Sequence, residues 1–237
     1  MKPTSEVQNI DCMEFMRGLP DKFFDLVVAD PPYGLGKKIH DGGTWAKKYK
    51  RSPLQGGQPF SKSNGHLWDT APTKDWFDEL FRVSKNQIIW GANHFEMPRT
   101  ECFLVWDKMD GEGLTFAMCE YAWTSFDTRP NIFRHERGLE NGFMRKKSDG
   151  LKFHPTQKPI ALYAWLLGKY AKPGDKIFDP MLGSGSSRIA AHKLGFDFWG
   201  CEMDAEYFEK AEKRFHESIA MPLFDEQNPN QITMFEQ

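Results

Sequence analysis

Two short stretches of this chain join residue types that chemistry can use. Asp30-Pro31-Pro32-Tyr33 places an acid, two prolines and an aromatic ring in four consecutive positions. Each proline fixes its φ and lacks an amide hydrogen, so nearby carbonyls stay free to accept. A carboxylate, a rigid carbonyl and an aromatic face together make a receptor for a planar –NH2 donor. The competing reading is a strand-ending turn, for which Asp-Pro is ordinary and Tyr33 would be packing.

The second stretch is Phe178-Asp179-Pro180-Met181-Leu182-Gly183-Ser184-Gly185-Ser186-Ser187. Gly183 and Gly185 would let the backbone approach a ligand closely, and the helix start that follows favours a carboxylate or phosphate. The dinucleotide fingerprint G-x-G-x-x-G is incomplete, because Arg188 stands at its third glycine. Glu202 ends the next apolar run at about the distance where an acid binds ribose hydroxyls. It would also serve as an acid at a helix N-terminus.

Regular elements must position these groups. Phe24–Ala29 is a continuous apolar run ending at Asp30, which predicts a buried parallel strand. Further strands are predicted at Gln87–Trp90, Phe103–Trp106, Glu120–Ser125, Lys176–Phe178 and Phe196–Cys201. Helices are predicted at Asp75–Val83, Pro159–Tyr170, Ser187–Leu194 (closed by Gly195) and Ala205–Ile219, with Pro159 in a first turn as helices prefer. Strands alternating with helices predict an α/β doubly wound sheet, whose ligands gather at the carboxyl ends of strands.

Residues 34–72 and 127–153 fit neither element, and both are rich in Lys and Arg. A near-neutral total charge of −2 therefore hides two basic segments, as a polyanion site on a mildly acidic protein would require. Solvated basic loops would look the same. With 40% hydrophobic and 27% charged residues, the chain reads as globular. Its apolar runs are too short to cross a bilayer and its start lacks a secretory pattern, so a cytoplasmic location without membrane contact is expected. Cys12, Cys102, Cys119 and Cys201 are scattered without a CxxC pair, which argues against a zinc site or a disulfide framework.

Residues 30–33 and 178–187 with Glu202 resemble the amino-methyltransferases of DNA, the N6-adenine/N4-cytosine family. The catalytic motif precedes the cofactor motif, similar to that family's permuted β group. His154-Pro155-Thr156-Gln157-Lys158-Pro159 and Asn9-Ile10-Asp11-Cys12 are similar to two further motifs of the group. The resemblance covers roughly residues 7–217. It implies a Rossmann-like, mostly parallel sheet of the class I S-adenosylmethionine-dependent methyltransferases over 1–219, with target-recognition insertions at about 34–72 and 127–153.

By the same resemblance Asp30, Pro31, Pro32 and Tyr33 would be catalytic, and no metal would be required. S-adenosylmethionine would be held by Asp11, Cys12, Thr156, Lys158, Phe178, Asp179, Pro180, Gly183, Ser184, Gly185, Ser186 and Glu202. Asp11 would contact the cofactor's adenine, and Thr156 and Lys158 its methionine carboxylate. Phe178 would either pack on that adenine or belong to the core. The substrate would be a flipped-out base of double-stranded DNA. Aspartate at position 30 favours N6 of adenine, with N4 of cytosine as the alternative. RNA or a protein amide remains an alternative substrate, and a scaffold without catalysis another. Residues 220–237 form a tail whose Gln231-Ile232-Thr233-Met234-Phe235 resembles the peptide that docks bacterial enzymes on the replication sliding clamp; a tail packed on its own domain is the alternative.

Overall fold

Phe24–Ala29 presents apolar side chains to both faces of its pleat, and such a strand is stable only when covered on both sides. It becomes central strand β2 in a computed structural model that describes residues 3–35, 69–109, 117–135, 153–154 and 156–219. Before it lie β1 (Ser5–Gln8) and α1 (Cys12–Arg17). After it come α2 (Lys74–Val83), β3 (Ser84–Trp90), a 3-10 turn (Ala92–His94), β4 (Phe103–Asp107), β5 (Cys119–Thr124) and β6 (Asn131–Arg134). The chain closes with α3 (Ile160–Tyr170), β7 (Lys176–Asp179), α4 (Ser186–Leu194), β8 (Asp197–Cys201) and α5 (Ala205–Ile219).

The described strands form one eight-stranded sheet in the order β1-β8-β7-β2-β3-β5-β4-β6. Its pairings are parallel except those of β5, which runs antiparallel to both β3 and β4. Helices cover both faces. Val27 and Ala29 pack with Met16 of α1 and Trp76, Phe77 and Leu80 of α2, whereas Leu26 and Val28 pack with Leu162 and Leu166 of α3 and Ile189 of α4. This is the doubly wound α/β sheet that the alternation of elements predicts.

Strand order departs in opposite directions from the pair β7 and β2, which lie side by side with Leu26 opposite Ile177 and Val27 opposite Phe178. Such a switch point leaves a crevice beyond the carboxyl ends of the two strands. Those ends carry Asp179 and Asp30.

The structure adds elements that periodicity does not reveal. β1 and α1 precede the first predicted strand. Residues 131–134, inside a segment expected to hold neither helix nor strand, form the edge strand β6. Four residues carry too little alternation to read alone; β6 exists because β4 supplies its partners and Phe133 drops into the core. Most of the two basic segments, and all of the 220–237 tail with the expected clamp-docking peptide 231–235, lie outside the described residues. Among the described residues no helix is long and apolar enough to cross a membrane.

Candidate active site

The glycine turn between β7 and α4 is built by backbone geometry. Gly183 and Gly185 have φ of +51° and +73°, in the left-handed region that a β-carbon penalises. The Gly183 amide donates to Glu202 Oε2 at 2.8 Å, and Glu202 Oε1 accepts from the Asp204 amide at 2.9 Å. Glu202, at the end of β8, thus folds over the turn, and burial raises its carboxyl pKa. The neighbouring end of β1 is tied to it by Asn9 Nδ2, which donates to the Glu202 carbonyl at 2.7 Å. Asp11 follows, where it caps α1 by accepting from the Met13 amide at 2.7 Å. Asp11, Glu202 and the glycine turn therefore lie at the carboxyl ends of three adjacent parallel strands.

Buried polar groups hold the turn from below. Arg214 of α5 donates to the Ser184 carbonyl at 2.7 Å and to Ser186 Oγ at 2.9 Å. Asp179 accepts from the Met181 amide at 3.0 Å and from the Ser187 hydroxyl, and burial pushes its pKa up to about 7. Pro180 is buried beside it. Arg188, at the third position of the incomplete glycine fingerprint, is buried over the Phe215 ring. It pairs with Glu212 and donates to Ser5 Oγ, so the helix start is locked by a cation where the fingerprint has glycine.

Across the crevice stands a compact charge cluster. Asp30 Oδ2 is ion-paired with Lys158 Nζ, and Asp30 Oδ1 accepts from the Tyr33 hydroxyl at 2.9 Å. Lys158 also lies 3.1 Å from Glu120 Oε2, and Lys108 lies 2.7 Å from Glu120 Oε1. Two carboxylates and two ammonium groups thus balance in a site where Lys158 is only 4% exposed. Burial raises the Asp30 pKa against the pull of Lys158, and Glu120 adds to the rise. Burial would raise Glu120 as well, but Lys158 and Lys108 together hold it at about 2. Lys158 would be driven neutral by burial, yet Asp30 and Glu120 raise its pKa above the usual lysine value.

The Tyr33 ring lies against Gly91 and stacks on His94, with centroids 5.1 Å apart and planes 20° from parallel. A β-carbon at Gly91 would come within 2.0 Å of the ring, so only glycine admits this placement. Pro31 is buried and Pro32 half-buried beneath the same loop. Asp30 to Tyr33 and Gly183 to Ser186 therefore follow the carboxyl ends of two paired strands. Lys158 joins them, because its carbonyl accepts from Ser186 Oγ at 2.7 Å while its ammonium reaches Asp30.

Two residues expected at the cofactor make other contacts in this structure. Lys158, expected on the methionine carboxylate, is turned to Asp30 and Glu120, whose paired negative charge holds it there. Phe178 is wholly buried, stacked on Phe24 at 4.5 Å and packed against Phe15, which leaves no face for a ligand. Cys12 accepts a hydrogen bond from Trp76 Nε1 at 3.3 Å, and burial pushes its thiol up to about 11, so it is a neutral wall of the α1 side. Thr156 is exposed beside His154, whose ring reaches the glycine turn. Glu120 and Lys108 were not among the expected site residues. Glu120 is in phase with Ala122 and Thr124, both buried, and a carboxylate on a core-facing strand position is the signal that would have found it.

A family model described as DNA methylase, of the N6/N4 methyltransferases, matches residues 100–213. The chain is 26% identical to the type II methyltransferase M.HinfI of Haemophilus influenzae, over 94% of this chain and 70% of that protein. Among solved structures, M1.HpyAVI bound to SAM superposes with a TM-score of 0.52 at 18% identity, covering 88% of this chain and 98% of that one. The cytosine-N4-specific PvuII DNA methyltransferase does so with 0.55 at 15% identity, covering 98% and 92%. At such identities the two structures speak for the fold.

Proposed function

We propose, for a chain that belongs to the N6/N4 DNA methylase family, that its target is the N6 amine of adenine in a base turned out of double-stranded DNA. It is an S-adenosylmethionine-dependent DNA methyltransferase. The observation that supports an amino-methyl transfer is Lys158, bonded both to Asp30 beside Tyr33 and to the Gly183–Ser186 turn; aspartate at position 30 is what favours adenine within it.

The donor set fits S-adenosylmethionine. Glu202 is an acceptor for ribose hydroxyls, Asp11 lies on the adenine side, and the amides at the start of α4 suit a carboxylate. Asp179, Pro180, Ser184 and Ser186 shape the turn beneath, and Cys12 and Thr156 flank it. When bound, the cofactor supplies a methyl group already activated by a positively charged sulfur.

The chain's own residues prepare the nucleophile. An adenine amine is weak because its lone pair is delocalised into the ring. Asp30 Oδ1 accepts one N–H and the Pro31 carbonyl the other, which draws the nitrogen toward sp3 and localises the lone pair on the side away from both acceptors. Tyr33 stacks on the base, worth about 1–3 kcal/mol, against the few kcal/mol needed to leave the helix. Most of the acceleration is alignment, about 7–11 kcal/mol at best. The nitrogen would bond the methyl carbon as the carbon–sulfur bond breaks, leaving its electron pair on sulfur, and then shed one proton, for which Asp30 is the acceptor.

The test is direct. The protein is incubated with tritiated donor and unmethylated genomic DNA, RNA or protein, and the labelled product is digested and identified. N6-methyladenine is expected. N4-methylcytosine would replace the adenine assignment, and label in RNA or protein alone would overturn the DNA assignment.

A further inference from the structure

Among the described residues, the amine-binding site holds one carboxylate and one ammonium group that the mechanism above does not use, Glu120 and Lys108. We propose that Glu120, backed by Lys108, is a positioning residue that receives the Tyr33 hydroxyl and shares Lys158, so that Asp30 Oδ1 is released to the substrate amine. The proposal rests on the reading of Asp30 as the amine acceptor.

The geometry sets up a competition for Asp30 Oδ1 that Glu120 relieves. Lys158 holds Asp30 Oδ2 in a charged pair, so Oδ1 keeps more of its acceptor strength for an arriving N–H. The Tyr33 hydroxyl already donates to that oxygen at 2.9 Å. The same hydroxyl lies 3.3 Å from Glu120 Oε2, so turning its O–H bond redirects the proton without moving the ring. Without Glu120, the displaced hydroxyl would be left without a carboxylate acceptor in a buried site, which is costly.

Charge gives Glu120 a second task. Asp30 is faced by Lys158 from the segment before α3, by Glu120 from β5, by Tyr33 of its own loop, by Tyr163 of α3 and by Asp179 at the end of β7. Lys108 stands behind Glu120, over the Trp106 ring, with its amide bonded to the Met118 carbonyl. Lys158 alone would neutralise Asp30 fully and weaken it as an acceptor. Divided between two carboxylates, and with Lys108 anchoring Glu120, Lys158 leaves Asp30 partly uncompensated and therefore a stronger acceptor.

The experiment uses the full chain with Glu120→Gln and, separately, Lys108→Met. Asp30 is followed by carboxyl carbon NMR against pH, its signal assigned through Asp30→Asn. Removing the Glu120 charge should move the Asp30 midpoint down, because a neighbouring anion no longer opposes its ionisation. Removing the Lys108 charge should move it up, since Glu120 then draws more on Lys158. Methyl transfer by Glu120→Gln should fall in kcat by about ten- to a hundredfold, the size of a lost charged hydrogen bond, with cofactor KM unchanged. Midpoints that stay still or move together, or an unchanged kcat, overturn the proposal. Should Glu120→Gln fail to fold, the upward shift in Lys108→Met decides. The titration needs neither DNA nor donor, so an enzyme inactive on DNA would sink the functional reading while this test still stood.

Discussion

The ammonium of Lys158 is clamped between the carboxylates of Asp30 and Glu120, buried to 4% exposure at the point where the two motif loops meet. Removing one member of such a buried cluster leaves the others uncompensated. Lys158→Met should therefore destabilise the protein by about 3–5 kcal/mol, read by urea unfolding. Adding Glu120→Gln to that variant should restore part of the loss. Additive losses would show that the charges are not coupled.

Asp30→Ala removes the acceptor of the amine and none of the hydrogen bonds that build the glycine turn. Methyl transfer should fall by about a hundred- to a thousandfold or more, by analogy with loss of other preorganised transition-state groups. Cofactor affinity, measured by calorimetry, should stay within a few-fold. Wild-type rates would remove Asp30 from the mechanism.

Gly91 carries φ of +69° and lies under the Tyr33 ring, where a β-carbon would come within 2.0 Å. Gly91→Ala combines backbone strain of about 1 kcal/mol with displacement of the ring. The expected result is a modest fall in Tm and a larger loss of transfer on DNA. A variant that loses stability but keeps its KM for DNA would mean that Tyr33 does not support the base.

Asp179 is buried and its pKa is raised from 3.8 to about 7. Its proton is held more tightly in the folded chain than in the unfolded one. The associated stability is therefore present below about pH 4 and is lost as pH rises through about 7. Asp179→Asn keeps the acceptor for the Met181 amide and removes the ionisation. Its unfolding free energy should fall less steeply between those limits, by on the order of a few kcal/mol. Parallel pH profiles for the two proteins would assign the dependence elsewhere.

Residues 231–235 lead to a separate expectation. Deleting residues 230–237 should abolish binding to a bacterial sliding clamp, measured by surface plasmon resonance, and leave methyl transfer on naked DNA intact. Unchanged clamp binding would dispose of the docking peptide.

The amino-acid sequence by itself determined the pieces whose chemistry is local. Asp30 to Tyr33, the Gly183–Gly185 turn and Glu202 are legible because their function needs neighbouring residues, fixed backbone angles and the end of an apolar strand. Most of the alternating elements are legible for the same reason. Only the tertiary structure decided what depends on contact between distant strands. It placed β2 beside β7, so that the two motifs follow the carboxyl ends of paired strands. It paired residues 131–134 with β4, and it enclosed Phe178 between Phe24 and Phe15. It also brought Lys158 to Asp30, because Glu120 on β5 and Lys108 just past β4 set the balance of charge there. A buried ion goes where its counter-charges are, and those positions exist only once the sheet has formed.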